Sequence, residues 1–294
     1  MQSSEGEHHL YLVFTTGVPG LGKTYLLDRL LAYINAQPKH LAISCSSDLV
    51  RSTVLAEHYK SEGIDITKLS EEAIYKIEAD SSKQISSRLY DTLVDLLKKL
   101  KESNNERVFF FLDKNFCSKD LVKYINDQVE VIFKGWEVHR RVIVPEDFKE
   151  GEDRHYYPLK PSTLLICLER SLKRKEHLTM KYGNIHSLYS FISCLQSQIK
   201  DPFDGKFPPS VYQRVVVDYY DRDIFNIGLQ NNENRVTFDK FNGQVADLVD
   251  KKVDIPAGVD GLVDTLRSLE SLNAYHKIEQ KELAGLMDKI QASG

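Results

Sequence analysis

Leu10-Tyr11-Leu12-Val13-Phe14-Thr15-Thr16 is a continuous β-rich run that stops on Gly17-Val18-Pro19-Gly20-Leu21-Gly22-Lys23-Thr24. A run without polar alternation belongs to a strand buried on both faces, as in a parallel sheet. Beyond the loop, Leu26, Leu27, Leu30, Leu31 and Ile34 recur at helical spacing, and Pro38 ends the pattern. Strand, glycine loop and helix therefore follow in that order. Glycines at this spacing allow a tight turn whose backbone N–H groups point inward at a helix N-terminus, which is a cradle for phosphate.

Gly17-x-x-x-x-Gly22-Lys23-Thr24 matches the Walker A pattern in full and in the required strand-to-helix context. In that reading Gly17, Val18, Pro19, Gly20, Leu21 and Gly22 wrap the phosphates and Lys23 bridges the β- and γ-phosphates. Thr24 offers its hydroxyl to Mg²⁺, an ion that prefers hard oxygen ligands. The bland alternative is a chance glycine turn. No Asn-Lys-x-Asp base-reading motif occurs, so the spacing leaves ATP and GTP equally open as donor.

Further along, Leu41 to Cys45 reads as a second strand and Val108 to Leu112 as a third, separated by helical sequence that includes an amphipathic segment at about 84–102. A fourth strand is expected at Thr163 to Leu168, after an irregular surface stretch at 145–162, and Val215 to Asp218 reads as another short strand. Strands alternating with helices predict an α/β fold, a parallel sheet flanked by helices. Leu262, Leu266, Leu269 and Leu272, then Leu283, Leu286 and Ile290, predict two C-terminal helices. They either cap the core or join a partner or further domain. The expected division is a P-loop domain over 1–250 and a helical tail over 251–294.

A net charge of -4 with 28% charged residues gives no global positive field, so a nucleic-acid substrate would need a local basic patch. Cys45, Cys117, Cys167 and Cys194 are widely spaced and form no C-x-x-C pair, which disfavours a zinc framework or a disulfide scaffold. The apolar stretch Leu10 to Phe14 is too short to span a membrane or to serve as a secretory core. A cytosolic or nuclear protein without membrane partners is expected.

Three groups carry candidate chemistry beside the loop. Asp113 closes the third strand, where strand ends of an open α/β sheet converge on ligand, and is placed to hold a magnesium-bound water. It is followed by Lys114, unlike the paired acids of many ATPase motors. Asp48 and Arg51 stand i, i+3 at the start of a helix. Asp48 suits a general base for an attacking hydroxyl, and Arg51 a bidentate holder of an acceptor phosphate. The alternative is structural: Ser46, Ser47 or Asp48 caps the helix and Arg51 pairs with a local acid. In the basic segment 169–181, Arg170 and Arg174 lie on one helical face, either as a lid that neutralises transferred phosphoryl charge or as a solvated basic helix. His177 ranks below Asp48 for proton transfer. Trp136, Tyr156 and Tyr157 offer base stacking or plain packing.

With Gly17 to Thr24, Asp48-x-x-Arg51 and the lid-like arginines, the chain resembles the P-loop polynucleotide 5′-hydroxyl kinases, including the kinase module of tRNA ligases. The resemblance implies that Lys23 and Thr24 serve phosphates and Mg²⁺, that Asp48 is the general base and that Arg51 holds the acceptor's phosphate. Asp113-Lys114-Asn115 is similar to the Asp-Arg-Asn of fungal-type tRNA ligase kinase modules. Similar Asp and Arg placements occur in zeta-toxin-like, gluconate and other small-molecule kinases. No nucleotidyl-lysine ligase motif and no paired H-x-T/S motif of a 2H phosphodiesterase accompanies them. The implied reaction moves the γ-phosphate of a nucleoside triphosphate to a 5′-hydroxyl end of RNA or DNA. The alternatives are a small-molecule or nucleoside kinase and a non-catalytic nucleotide-binding module.

Overall fold

The computed structural model describes residues 8–115, 117–145, 203–217 and 279–292, together with Cys167, Ser171, Phe191 and Cys194. Strand β1 (His9–Thr15) leads through the glycine loop into α1 (Lys23–Asn35), followed by β2 (His40–Ser46) and α2 (Ser47–Ser61). Next come α3 (Glu71–Asp80), α4 (Ser82–Glu102), β3 (Arg107–Asp113), α5 (Lys119–Ile132) and β4 (Glu137–Pro145). After the described gap stand the short helix α6 (Phe203–Lys206), strand β5 (Gln213–Val217) and helix α7 (Gln280–Gln291).

The five strands form one parallel sheet in the order β2-β3-β1-β4-β5. The chain leaves β1 in one direction to make β2, then returns past it from β3 to β4. Right-handed crossovers put helices made in opposite directions on opposite faces. Accordingly α1, joined by α7, covers one face, while α4 packs with α2 and α5 on the other. The fold is α/β, with helices on both sides of a parallel sheet. Connections from β1 and β3 part to opposite faces, so a crevice opens between their carboxyl ends. That is where ligands bind in open α/β sheets.

Strand β1 is buried from Leu10 to Thr15, and β3 from Val108 to Asp113. Both carry apolar side chains on both faces. Leu10, Leu12, Phe14, Val108, Phe110 and Leu112 point toward the α4 and α5 side, where Leu93, Leu97, Leu100, Ile125 and Val129 complete the core. Burying one such side chain contributes about 1.5–3 kcal/mol. The sheet is therefore anchored at its centre, under the loop.

The fourth strand corrects the sequence expectation. It is Glu137–Pro145, whereas Cys167, inside the run expected to be a strand, is helical. Ser171 Oγ donates to Cys167 O at 2.8 Å, the i to i-4 bond of a helix. The first half of β4, Glu-Val-His-Arg-Arg, has polar residues on both faces, so no apolar run marks it. Its arginines are satisfied by neighbours that sequence does not reveal: Arg140 Nε donates to Asn126 Oδ1 on α5 at 2.7 Å, and Arg141 reaches α7. The apolar run 163–168 has no periodicity to tell a short strand from a buried helix.

Strand β5 matches the expected short strand, and α7 matches the second expected C-terminal helix. The buried Arg141 donates to Ile290 O at 2.8 Å and to Ala292 O at 2.6 Å, which ties the C-terminus of α7 to the sheet. A cation at a helix C-terminus also meets the negative end of its dipole. The first expected C-terminal helix and most of 145–162 lie outside the described residues.

Candidate nucleotide site

The glycine loop sits at the carboxyl end of β1 and is almost wholly buried, with Val18 and Leu21 fully so. Thr15 Oγ1 donates to Leu112 O and Thr16 Oγ1 to Ile143 O, at 3.0 and 2.9 Å, pinning the loop's entry to both neighbouring strands. Gly22 is the N-cap of α1 at φ 99°, a left-handed conformation that side chains resist. No side chain caps α1, and its first turn carries no acid. The helix itself thus brings no acid to its positive end, a polarity that favours an anion there. Gly20 is needed for a second reason. A Cβ there would lie 2.1 Å from Cys167 O and 2.8 Å from Ser171 Oγ, so the helical segment at 167 and 171 rests directly on the loop.

The Lys23 side chain is buried. Its Nζ donates to Val18 O at 2.8 Å, Gly17 O at 3.2 Å and Asn115 Oδ1 at 2.6 Å. A buried ammonium is tolerated only with such acceptors. They hold the charge inside the loop curve. Thr24 Oγ1 donates to Asp113 Oδ2 at 2.7 Å, bridging α1 and the end of β3. One turn along α1, burial and then the negative charge of Asp113 raise the Asp28 carboxyl above its ordinary range. The Thr24 hydroxyl and the Asp113 carboxylate are hard oxygen donors in contact, with Asp28 near enough to feel the charge of Asp113, and a Mg²⁺ ion fits that chemistry.

Asp48 and Arg51 lie in the first turn and a half of α2, directly after β2. Ser46 pairs in register with Asp113 across the β2 and β3 ladder, so α2 begins at the same end of the sheet as the loop. Two strand spacings, about 10 Å, separate the lines of β2 and β1. The capping alternative resolves on Ser46, whose side chain accepts from Leu49 N at 3.4 Å; Asp48 is not the cap. Among the described residues no ion pair holds Arg51. Arg170, Arg174, His177, Tyr156 and Tyr157 lie outside the described residues.

Trp136 is placed away from this crevice. It precedes β4 at the amino end of the sheet, stacks on His8 at 4.6 Å and carries Lys101 Nζ over its ring at 4.4 Å. Asn115 and Asp28 are the residues that sequence reasoning did not assign. Asn115 drew notice only through the Asp-Lys-Asn resemblance, while the position of Asp28, four residues after Thr24, was a legible helical signal.

No protein-family model matches the chain, and no curated protein matches it. Among solved structures it is similar to a protein of Chloroflexus aurantiacus described as a putative kinase, at 13% identity and a TM-score of 0.37, covering 91% of this chain and 100% of that one. A likeness of that size carries no functional weight. What the site can do rests on its own geometry.

Proposed function

We propose that the protein is a Mg²⁺-dependent phosphotransferase that moves the γ-phosphate of ATP or GTP to a 5′-hydroxyl end of RNA or DNA. The Thr24 to Asp113 contact, which joins the loop helix to the strand-end acid beside β2, is the observation that carries it. In this reading the loop amides and the N-terminus of α1 bind the donor's phosphates. Lys23 exchanges its contacts with Gly17 O, Val18 O and Asn115 for phosphate oxygens. Thr24 and Asp113, with the neighbouring Asp28, would hold the Mg²⁺. When bound, the ion would neutralise the negative charge that develops on the phosphoryl group.

Asp48 takes the proton from the attacking hydroxyl, and Arg51 holds the acceptor's own phosphate. Arg170 and Arg174, by the resemblance to these kinases, neutralise charge on the transferring group. The same machinery would serve a small-molecule or nucleoside acceptor. Transfer of labelled γ-phosphate to a 5′-hydroxyl oligonucleotide, run beside sugars and nucleosides, is expected to label the oligonucleotide. Labelling of a metabolite alone sinks the nucleic-acid assignment. In Asp48→Asn, nucleotide binding should persist while transfer falls by about 10²–10⁴-fold. Unchanged activity of that variant in the cell would favour a non-catalytic nucleotide-binding module.

A further inference from the structure

At the amino end of the sheet, opposite the glycine loop, β1 and β4 bring three metal-binding side chains together. The parallel register sets His9 beside Glu137 and Tyr11 beside His139. Alternation along each strand puts His9, Glu137 and His139 on one face. His9 Nδ1 lies 3.2 Å from His139 Nε2 and 3.1 Å from Glu137 Oε2, while His139 Nε2 lies 3.5 Å from Glu137 Oε1. All three donors fall within 4.8 Å of one another. Zinc bonds of 2.0–2.2 Å in a tetrahedron place ligand atoms about 3.3 Å apart. The nitrogen–nitrogen distance and the shortest distance from each imidazole to a Glu137 oxygen are close to that spacing, the two imidazoles meeting different oxygens of the one carboxylate.

The geometry points to a site for a zinc-class divalent ion held by His9, Glu137 and His139, independent of the nucleotide site. The ring positions are fixed by packing: His139 stacks on Tyr11 at 4.6 Å, and Tyr11 on Phe109 at 4.6 Å. Both histidine side chains are mostly buried, at 18% and 13% exposure, whereas Glu137 is 58% exposed, so a fourth position opens to solvent. Arg107 and Arg141 bring positive charge to the same surroundings. An ion held there must be bound by coordination to imidazole nitrogen more than by net negative charge. That selects Zn²⁺, Co²⁺ or Ni²⁺ over Mg²⁺ and Ca²⁺, which want oxygen. Bound metal would cross-link the amino ends of β1 and β4.

The competing account of the same distances is a metal-free hydrogen-bonded His-Glu-His cluster. Titration of the purified, nucleotide-free chain with Zn²⁺, and with Co²⁺ as a visible reporter, in excess Mg²⁺ decides between them. Expected are one tightly bound ion per chain, a raised unfolding temperature on Zn²⁺ addition, and an affinity about 100-fold or more lower in His9→Asn and His139→Asn. Glu137→Gln should weaken binding, and His58→Asn on α2 should leave it unchanged. Should His139→Asn not fold, His9→Asn and the exposed Glu137→Gln still carry the test. No ion bound at equimolar protein, or binding that survives all three substitutions, overturns the site.

Discussion

Single residues at the loop have sharply different sensitivities. At Gly20 a methyl group would meet a backbone carbonyl that cannot rotate away, at a φ of 83°. Gly20→Ala should therefore cost about 1–3 kcal/mol or more through overpacking and strain, read as a lowered calorimetric midpoint. It should also impair nucleotide binding. A wild-type midpoint in that variant would show that the 167 and 171 segment does not rest on the loop. The cysteines have the opposite character. Burial pushes the Cys45 thiol up to about 12, partly opposed by the charge of Lys114, and the Cys117 thiol up to about 11. A raised thiol pKa leaves the nucleophilic thiolate scarce at neutral pH, and reactivity returns only as pH climbs toward those values or the fold opens. Cys167 and Cys194 are buried as well. A thiol reagent at neutral pH should thus react with the native chain far more slowly than with the denatured one; rapid native labelling of Cys45 or Cys117 would contradict the packing.

At the scale of elements, α7 docks through a buried guanidinium on β4. Arg141→Met removes the donors to Ile290 O and Ala292 O and leaves those carbonyls facing a desolvated site, at a cost of about 1–3 kcal/mol. Hydrogen exchange over 283–292 should then accelerate while β1 and β3 keep their protection. Uniform protection in the variant would mean that apolar contacts of Leu283, Leu286 and Ile290 suffice to hold the helix. The elements also show why sequence reading succeeded unevenly. β1, β3 and α4 were legible because each meets one apolar environment along its length, giving an unbroken run or a clear helical stripe. β4 was not, because Arg140 and Arg141 are paired across space with α5 and α7, and pairing leaves no mark on local sequence. For Asp48 the competing roles of cap and base were both legible, and only the hydrogen bond that the Ser46 side chain accepts from Leu49 N shows which residue caps the helix.

For the whole molecule, the central consequence of the strand order is that the glycine loop, the Asp113 strand end and the start of α2 share one end of the sheet. Ligand occupying that crevice should stabilise the entire fold. Nucleotide with Mg²⁺ at a hundredfold excess over its dissociation constant is expected to add about 2.7 kcal/mol, measured as a raised denaturant midpoint, and Lys23→Ala should abolish the increment. An equal increment in that variant would remove the loop from the binding site. No helix among the described residues is long and apolar enough to cross a membrane. The amino-acid sequence by itself determined the glycine loop between strand and helix, the buried central strands and the α/β class, because glycine spacing and hydrophobic period act through neighbours in the chain. Only the tertiary structure decided the strand order, the partner of Thr24, the meeting of Lys23 with Asn115 and that of His9, Glu137 and His139. Those depend on register between segments about a hundred residues apart, which is set by packing of the whole sheet and not by any local pattern.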